Sequence, residues 1–173
     1  MALGRALPRK PRAQTQRTMP RIQAQSSRTI PAPASTVYSI LADYRNGHSR
    51  ILPQRYFREF VVERGGVGAG TIIRFRMRSF GTLRTFRVEI TEPEPGRTLV
   101  ETDLETRITT RFAVHSTAER QAHVIVATEW TSPGMRGWFE RLLAPGFLRR
   151  VYAETLDNLA RLATSSEKPA PHW

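Results

Sequence analysis

The sequence predicts an α+β fold in which a curved antiparallel sheet of seven strands wraps around one long C-terminal helix. Three observations support this fold class. An apolar stripe with helical spacing occupies residues 147–162, alternating apolar and polar residues dominate residues 54–131, and two short helical segments follow a first strand. A long helix with one apolar stripe must bury that stripe against a surface, and the strands provide one.

The C-terminal helix is predicted from apolar residues that recur at intervals of three and four. These residues are Phe147, Leu148, Val151, Tyr152, Thr155, Leu156, Leu159 and Leu162. Residues 135–143 form a second, shorter helical pattern in which Trp138 faces inward. Because proline lacks a backbone N–H, Pro145 predicts a bend or break between the two.

The N-terminal third predicts one strand and two short helical segments. Residues 21–30 are a first strand, which Pro31 and Pro33 end. Residues 34–43 are a short helix, and residues 44–52 a second short helix or loop. A further strand is expected over residues 56–64. Glycines at alternate positions in residues 66–70 precede a strand rather than a helix, so we expect a hairpin turn and no dinucleotide site.

Two hairpins can be predicted residue by residue. A two-residue loop at Phe80 and Gly81 places the apolar residues of both strands on one face and Arg74, Arg76 and Arg78 on the other. Its pairs are Met77 with Arg84, Phe75 with Phe86, and Ile73 with Val88. The last hairpin pairs Val114 with Val124, Phe112 with Val126, Thr110 with Thr128, and Ile108 with Trp130.

Between these hairpins, pairing of Val88 with Val100 would place Arg87 opposite Glu101. A tight turn would then set Asp103 against Arg107. Opposite charges in cross-strand positions attract each other. We therefore expect Glu101 and Asp103 to point outward in surface ion pairs.

Composition limits the classes of function. The net charge is +12, and the first 19 residues contain five basic and no acidic residues. We expect residues 1–19 to be a disordered leader, residues 20–164 to be one domain, and residues 165–173 to be a flexible tail. The chain has no cysteine, which excludes disulfides and thiolate chemistry. It has no apolar run long enough for a membrane span or a secretory signal, and we expect a cytoplasmic location.

Several short segments carry a family resemblance when taken in order. They are residues 30–34 running into 37–44, Gly68-Ala69-Gly70-Thr71, residues 95–100, Thr128-Glu129-Trp130, and residues 139–145 with the helix that follows. Over about residues 20–164 the sequence resembles the START-like SRPBCC superfamily, in particular its polyketide cyclase/dehydrase and lipid-transport branch. The resemblance implies the helix-grip fold, with a deep cavity for an apolar or amphipathic small molecule between sheet and helix. It supplies no shared catalytic motif.

The ligand-binding candidates lie on the predicted inward face or on the helix stripe. They are Phe75, Met77, Arg84, Phe86, Phe112, Trp130, Trp138 and Tyr152. The alternative is that the apolar members only fill the core. Arg84 would reach out to solvent, pair with an acid, or bind an anionic ligand, because a buried unpaired charge is costly.

The remaining polar residues give weaker signals. His48 lies near the expected mouth of the cavity and is either a loop residue or an acid–base group. His115 and His123 face each other but lack an evident third ligand, so we expect no metal site and no cofactor.

We predict non-catalytic binding or transport of a lipid, quinone or polyketide-like molecule. One alternative is a polyketide aromatase/cyclase, which would need acids and bases in the pocket. The other is docking onto RNA or a ribosome through the leader and the arginine face. We do not expect a nucleic acid partner, and the oligomeric state is not predicted.

Overall fold

The computed structural model describes residues 21–79, 81–131 and 134–165; for Arg21, Ile22, Thr131 and residues 134–144 it describes the backbone alone. The elements in chain order are β1 (Arg21–Ile30), α1 (Ala34–Ala42), α2 (His48–Ile51), β2 (Phe57–Arg64), β3 (Ile72–Ser79), β4 (Thr82–Glu94), β5 (Thr98–Asp103), β6 (Thr109–Ala118), β7 (Gln121–Thr131) and α3 (Gly134–Ser165). The strands form one antiparallel sheet in the order β1-β7-β6-β5-β4-β3-β2. This confirms the predicted fold class.

Helix α3 buries the predicted stripe against the sheet and the short helices. Its buried residues are Val151, Tyr152, Thr155, Leu156, Leu159, Ala160 and Ala163. The helix packs on β1 and also contacts α1, α2 and β7. Of the bend or break predicted at Pro145, the break is wrong, since α3 is continuous through that residue, and the bend stays a prediction. Proline removes only one backbone donor from the helix interior, and both flanking segments remain helical. None of the helices in the described ranges is long and apolar enough to cross a membrane.

The predicted registers of the two hairpins are largely confirmed. Strands β3 and β4 pair Met77 with Arg84, Phe75 with Phe86, and Ile73 with Val88. Strands β6 and β7 pair Val114, Phe112 and Thr110 with Val124, Val126 and Thr128. Ile108 precedes β6 and does not pair with Trp130 in the ladder. Alternation along a strand thus located the inward faces of the four strands β3, β4, β6 and β7.

The predicted register between β4 and β5 is wrong. Val88 lies opposite Asp103 rather than Val100, and Ile90 lies opposite Glu101. Strand β4 extends to Glu94, and an irregularity in the pairing separates Thr91 from Glu94. The shift of three residues is odd, so it exchanges the two faces of β5. Glu101 and Asp103 therefore share the inward face with Val88 and Ile90 instead of pointing outward.

The outer face of the sheet carries a small network of ion pairs. Glu63 on β2 contacts Arg74 Nε at 3.0 Å and Arg87 Nε at 2.7 Å, and Glu59 contacts Arg76 Nη1 at 2.8 Å. The hydrogen bond from Arg87, followed by that from Arg74, holds the pKa of Glu63 below its ordinary value. Arg74 and Arg76, which the sequence predicted on the outer face, thus pair with carboxylates on β2.

Candidate functional site

A cavity of about 250 Å³ lies between the inner face of the sheet and the helices α2 and α3. Its apolar wall consists of Leu52, Phe57, Ile73, Phe75, Met77, Phe86, Val88, Ile108, Phe112, Trp130, Phe147 and Leu148. Its polar residues are His48, Ser79, Arg84, Glu101, Asp103, Thr110, Thr128, Tyr152 and Thr155. A mostly apolar wall with a few polar side chains is the usual composition of a small-molecule site.

The structure places seven of the eight predicted ligand-binding residues in this wall. They are Phe75, Met77, Arg84, Phe86, Phe112, Trp130 and Tyr152. The side chain of Trp138 lies outside the part of the chain that the structure describes. On the sheet side, Phe75 stacks on Phe86 with ring centroids 5.5 Å apart and meets Phe57 at 5.4 Å. That these residues contact a ligand stays a prediction.

Arg84 occupies the solvent-accessible edge of the cavity. It lines the cavity opposite Met77, yet the residue is exposed. Within residues 21–79, 81–131 and 134–165 it has no ion-pair or hydrogen-bond partner. The expected pairing of the Arg84 guanidinium with an acid is therefore not found among these residues. The charge remains accessible to solvent and to anything that enters the cavity.

The deep end of the cavity holds a polar cluster that the sequence did not predict. His48 was expected near the mouth, but only 1% of it is exposed. Its ring stacks on Tyr44 at 4.5 Å and meets the edge of Phe112 at 5.4 Å. His48 Nδ1 lies 2.8 Å from the carbonyl oxygen of Leu41, and Nε2 lies 3.4 Å from Oε1 of Glu101. The register shift of β5 is what brings Glu101 to this position.

Tyr44 completes the cluster as a fixed hydrogen-bond donor. Its hydroxyl donates to Glu101 Oε1 at 2.9 Å. Burial, followed by the nearby negative charge of Glu101, raises the pKa of Tyr44 well above its ordinary value. The phenol therefore remains protonated and stabilises charge on the carboxylate. We call Tyr44, His48 and Glu101 the deep cluster.

A row of hydroxyl groups extends from the deep cluster across the sheet. Glu101 lies opposite Thr110, and Thr110 lies opposite Thr128. The two threonine hydroxyls are 2.6 Å apart, and Thr128 also hydrogen-bonds the hydroxyl of Tyr152 on α3. Burial raises the pKa of Tyr152 to about 12, although the Thr128 hydrogen bond opposes the change. The cavity thus has an apolar body with one polar wall.

Asp103 also faces the cavity, but its carboxylate is occupied by local donors. Oδ1 accepts the backbone N–H of Arg87 at 3.1 Å. Oδ2 accepts the backbone N–H of Thr106 at 2.8 Å and its hydroxyl at 2.6 Å. The predicted pairing with the side chain of Arg107 is absent from the ion pairs of the described residues. Asp103 holds the turn between β5 and β6, and Glu101 is the carboxylate available to a ligand.

The two histidines of the last hairpin, His115 and His123, do face each other, as the register predicts. His123 Nδ1 is 3.2 Å from the hydroxyl oxygen of Thr29. No group of three or more potential metal ligands occurs among the residues that the structure describes.

A family model described as polyketide cyclase/dehydrase and lipid transport matches residues 21–164. The chain belongs to this family. The matched residues contain every cavity-lining side chain named above. A search of curated proteins by sequence gives no significant match.

Solved structures of this fold are similar over almost their whole length. The KanY protein, solved by NMR, is 26% identical with a TM-score of 0.74, covering 84% of this chain and 99% of its own. The Zhui aromatase/cyclase from Streptomyces sp. R1128 is 16% identical with a TM-score of 0.72, covering 88% and 99%. A norcoclaurine synthase point mutant from Thalictrum flavum is 16% identical with a TM-score of 0.69, covering 88% and 100%. The last two likenesses support the fold alone.

Proposed function

We propose that this family member binds a hydrophobic or amphipathic small molecule in the cavity between the sheet and α3, without covalent chemistry. The apolar wall is the observation that carries the proposal. Each 100 Å² of apolar ligand surface removed from water contributes about 2.5 kcal/mol. A preformed cavity needs little rearrangement to receive that surface. The family description, which includes lipid transport, agrees with binding of this kind.

Thermal unfolding in the presence of candidate ligands tests the proposal. A ligand that binds only the native state raises the melting temperature in proportion to its affinity and concentration. We expect at least one quinone, lipid or polyketide-like compound to raise it in a saturable manner. If every compound of these classes left the melting temperature unchanged at its solubility limit, the proposal would be contradicted.

Arg84 leads to a prediction about amphipathic anions. Because its charge is accessible at the edge of the cavity, Arg84→Ala should weaken binding of laurate about twofold to fivefold, the range for exposed charge pairs. The affinity for lauryl alcohol should not change. Arg78→Ala is the matched control, since Arg78 lies on the outer face of the same hairpin. Calorimetric titration measures all four affinities, and equal laurate affinity in wild type and Arg84→Ala would remove the anion-binding role.

The deep cluster favours a second candidate, acid–base catalysis of the aromatase/cyclase kind. An inward carboxylate beside a histidine can accept and return a proton if a substrate lies within hydrogen-bond reach. The Zhui aromatase/cyclase and norcoclaurine synthase, both enzymes by name, have the same fold.

Hydrogen–deuterium exchange at the acidic C–H of tetralone, followed by NMR, separates this candidate from simple binding. Catalysis predicts exchange at least tenfold faster with wild type than with Glu101→Gln. Equal rates with the two proteins would contradict it, whereas Glu89→Gln on the outer face should behave as wild type.

A further inference from the structure

Only one oxygen of the Glu101 carboxylate, Oε1, has a partner among the described residues. Oε1 receives the hydroxyl of Tyr44 and lies against Nε2 of His48. Oε2 has no hydrogen-bond partner among the described residues, while Glu101 lines the cavity. No side-chain oxygen or nitrogen that is fully buried in the described part lacks a partner. Oε2 is therefore open to the cavity rather than sealed in the core.

Geometry also determines which kind of group Oε2 can bind. The carbonyl oxygen of Leu41 can only accept, so His48 Nδ1 must carry a hydrogen. A bare Nε2 facing a bare Oε1 would bring two lone pairs together, so a proton belongs between these two atoms. It resides on Nε2 as an imidazolium or on Oε1 as a carboxylic acid. In both forms Oε2 carries only lone pairs, and it is an acceptor.

The surroundings of Oε2 restrict the donor further. A free acceptor facing an apolar cavity is costly unless a donor reaches it. The wall of the same cavity is rich in aromatic rings, among them Phe112, Phe75 and Phe86. Aromatic rings pack well against aromatic rings in offset or edge-to-face contacts. A hydroxyl on an aromatic ring meets both requirements at once.

We propose that the ligand of this cavity is a hydroxyaromatic molecule whose hydroxyl donates a hydrogen bond to Oε2 of Glu101. This rests on the proposed function, since it needs a ligand in the cavity. Glu101 is the specificity-determining residue, and His48 and Tyr44 position it by holding Oε1. The aromatic wall supplies affinity for the ring, and Glu101 distinguishes a phenol from the corresponding ether or hydrocarbon.

The test compares naphthol, methoxynaphthalene and naphthalene, which share one ring system and differ in the donor. Their dissociation constants are measured with wild type, Glu101→Gln and Glu89→Gln. Glu89 pairs with Arg64 on the outer face at 3.3 Å and provides the same chemical change away from the cavity. The hydrogen bond to Oε2 should make naphthol bind wild type and Glu89→Gln about tenfold more tightly than methoxynaphthalene. In Glu101→Gln the preference should fall below about threefold, with naphthalene affinity retained as evidence of a folded cavity.

If naphthalene and naphthol bind wild type equally, or if the preference survives in Glu101→Gln, the role of Glu101 is overturned while cavity binding stands. If none of the three compounds binds wild type, this inference is overturned, and the melting-temperature test with quinones, lipids and polyketide-like compounds decides the proposed function separately.

Discussion

Val88→Trp is expected to abolish ligand binding, with an affinity loss of roughly a hundredfold or more. Val88 is 5% exposed, lies in the middle of β4 and lines the cavity. The larger indole would occupy space that a ligand needs. Displacing about 100 Å² of apolar ligand surface costs about 2.5 kcal/mol, close to a hundredfold in affinity. Naphthalene titration measures the loss. Because the indole enters existing empty space, the melting temperature should change little.

The matched control is Glu89→Trp. Glu89 is the next residue of the same strand and faces outward, where it pairs with Arg64. The same side chain added there should leave naphthalene affinity within about twofold of wild type. If Val88→Trp bound naphthalene as tightly as Glu89→Trp did, the ligand would not occupy this cavity.

Leu159→Ala is expected to have the largest effect on stability, a loss of about 2–5 kcal/mol in the free energy of unfolding. Leu159 is fully buried on the inner stripe of α3. Truncating this side chain to alanine removes buried apolar surface and leaves a void that the sheet cannot fill without moving. Urea denaturation followed by circular dichroism measures the change.

Asp157→Ala serves as the control on the same helix. Asp157 is exposed and pairs with Arg28 on β1. Surface ion pairs contribute about 0–1 kcal/mol, so this variant should remain close to wild type. Comparable losses for the two variants would mean that the stripe of α3 does not form the main core.

Local patterns were sufficient to predict most of the fold. The apolar stripe of α3 and the β3–β4 and β6–β7 registers depend on residues close in sequence, where spacing and loop length fix which residues share a face. The β4–β5 register depends on the backbone conformation around Pro93 and Pro95. Strand β4 continues past Pro93, and its pairing with β5 is irregular there. Nothing in the alternation of apolar residues indicates such an irregularity.

Because of the same register error, the polar residues of the candidate site were not predicted. Apolar wall residues such as Phe75 and Phe112 followed from alternation alone. Glu101 did not, because an odd shift moved it from the predicted outer face to the cavity. His48 is held by long-range packing on Phe112 and by the carbonyl of Leu41. An isolated histidine in a short segment gives no sequence signal of such contacts.

Methyl NMR of the protein titrated with naphthalene tests the central claim most directly. The cavity predicts that the methyl groups of Ile73, Val88 and Leu148 shift together and saturate with one binding constant. Methyl groups of Leu159 and Val114, which are buried but do not line the cavity, should remain near their original positions. Shifts limited to exposed methyl groups, or no saturable shift at any accessible concentration, would contradict a ligand-binding cavity between the sheet and α3.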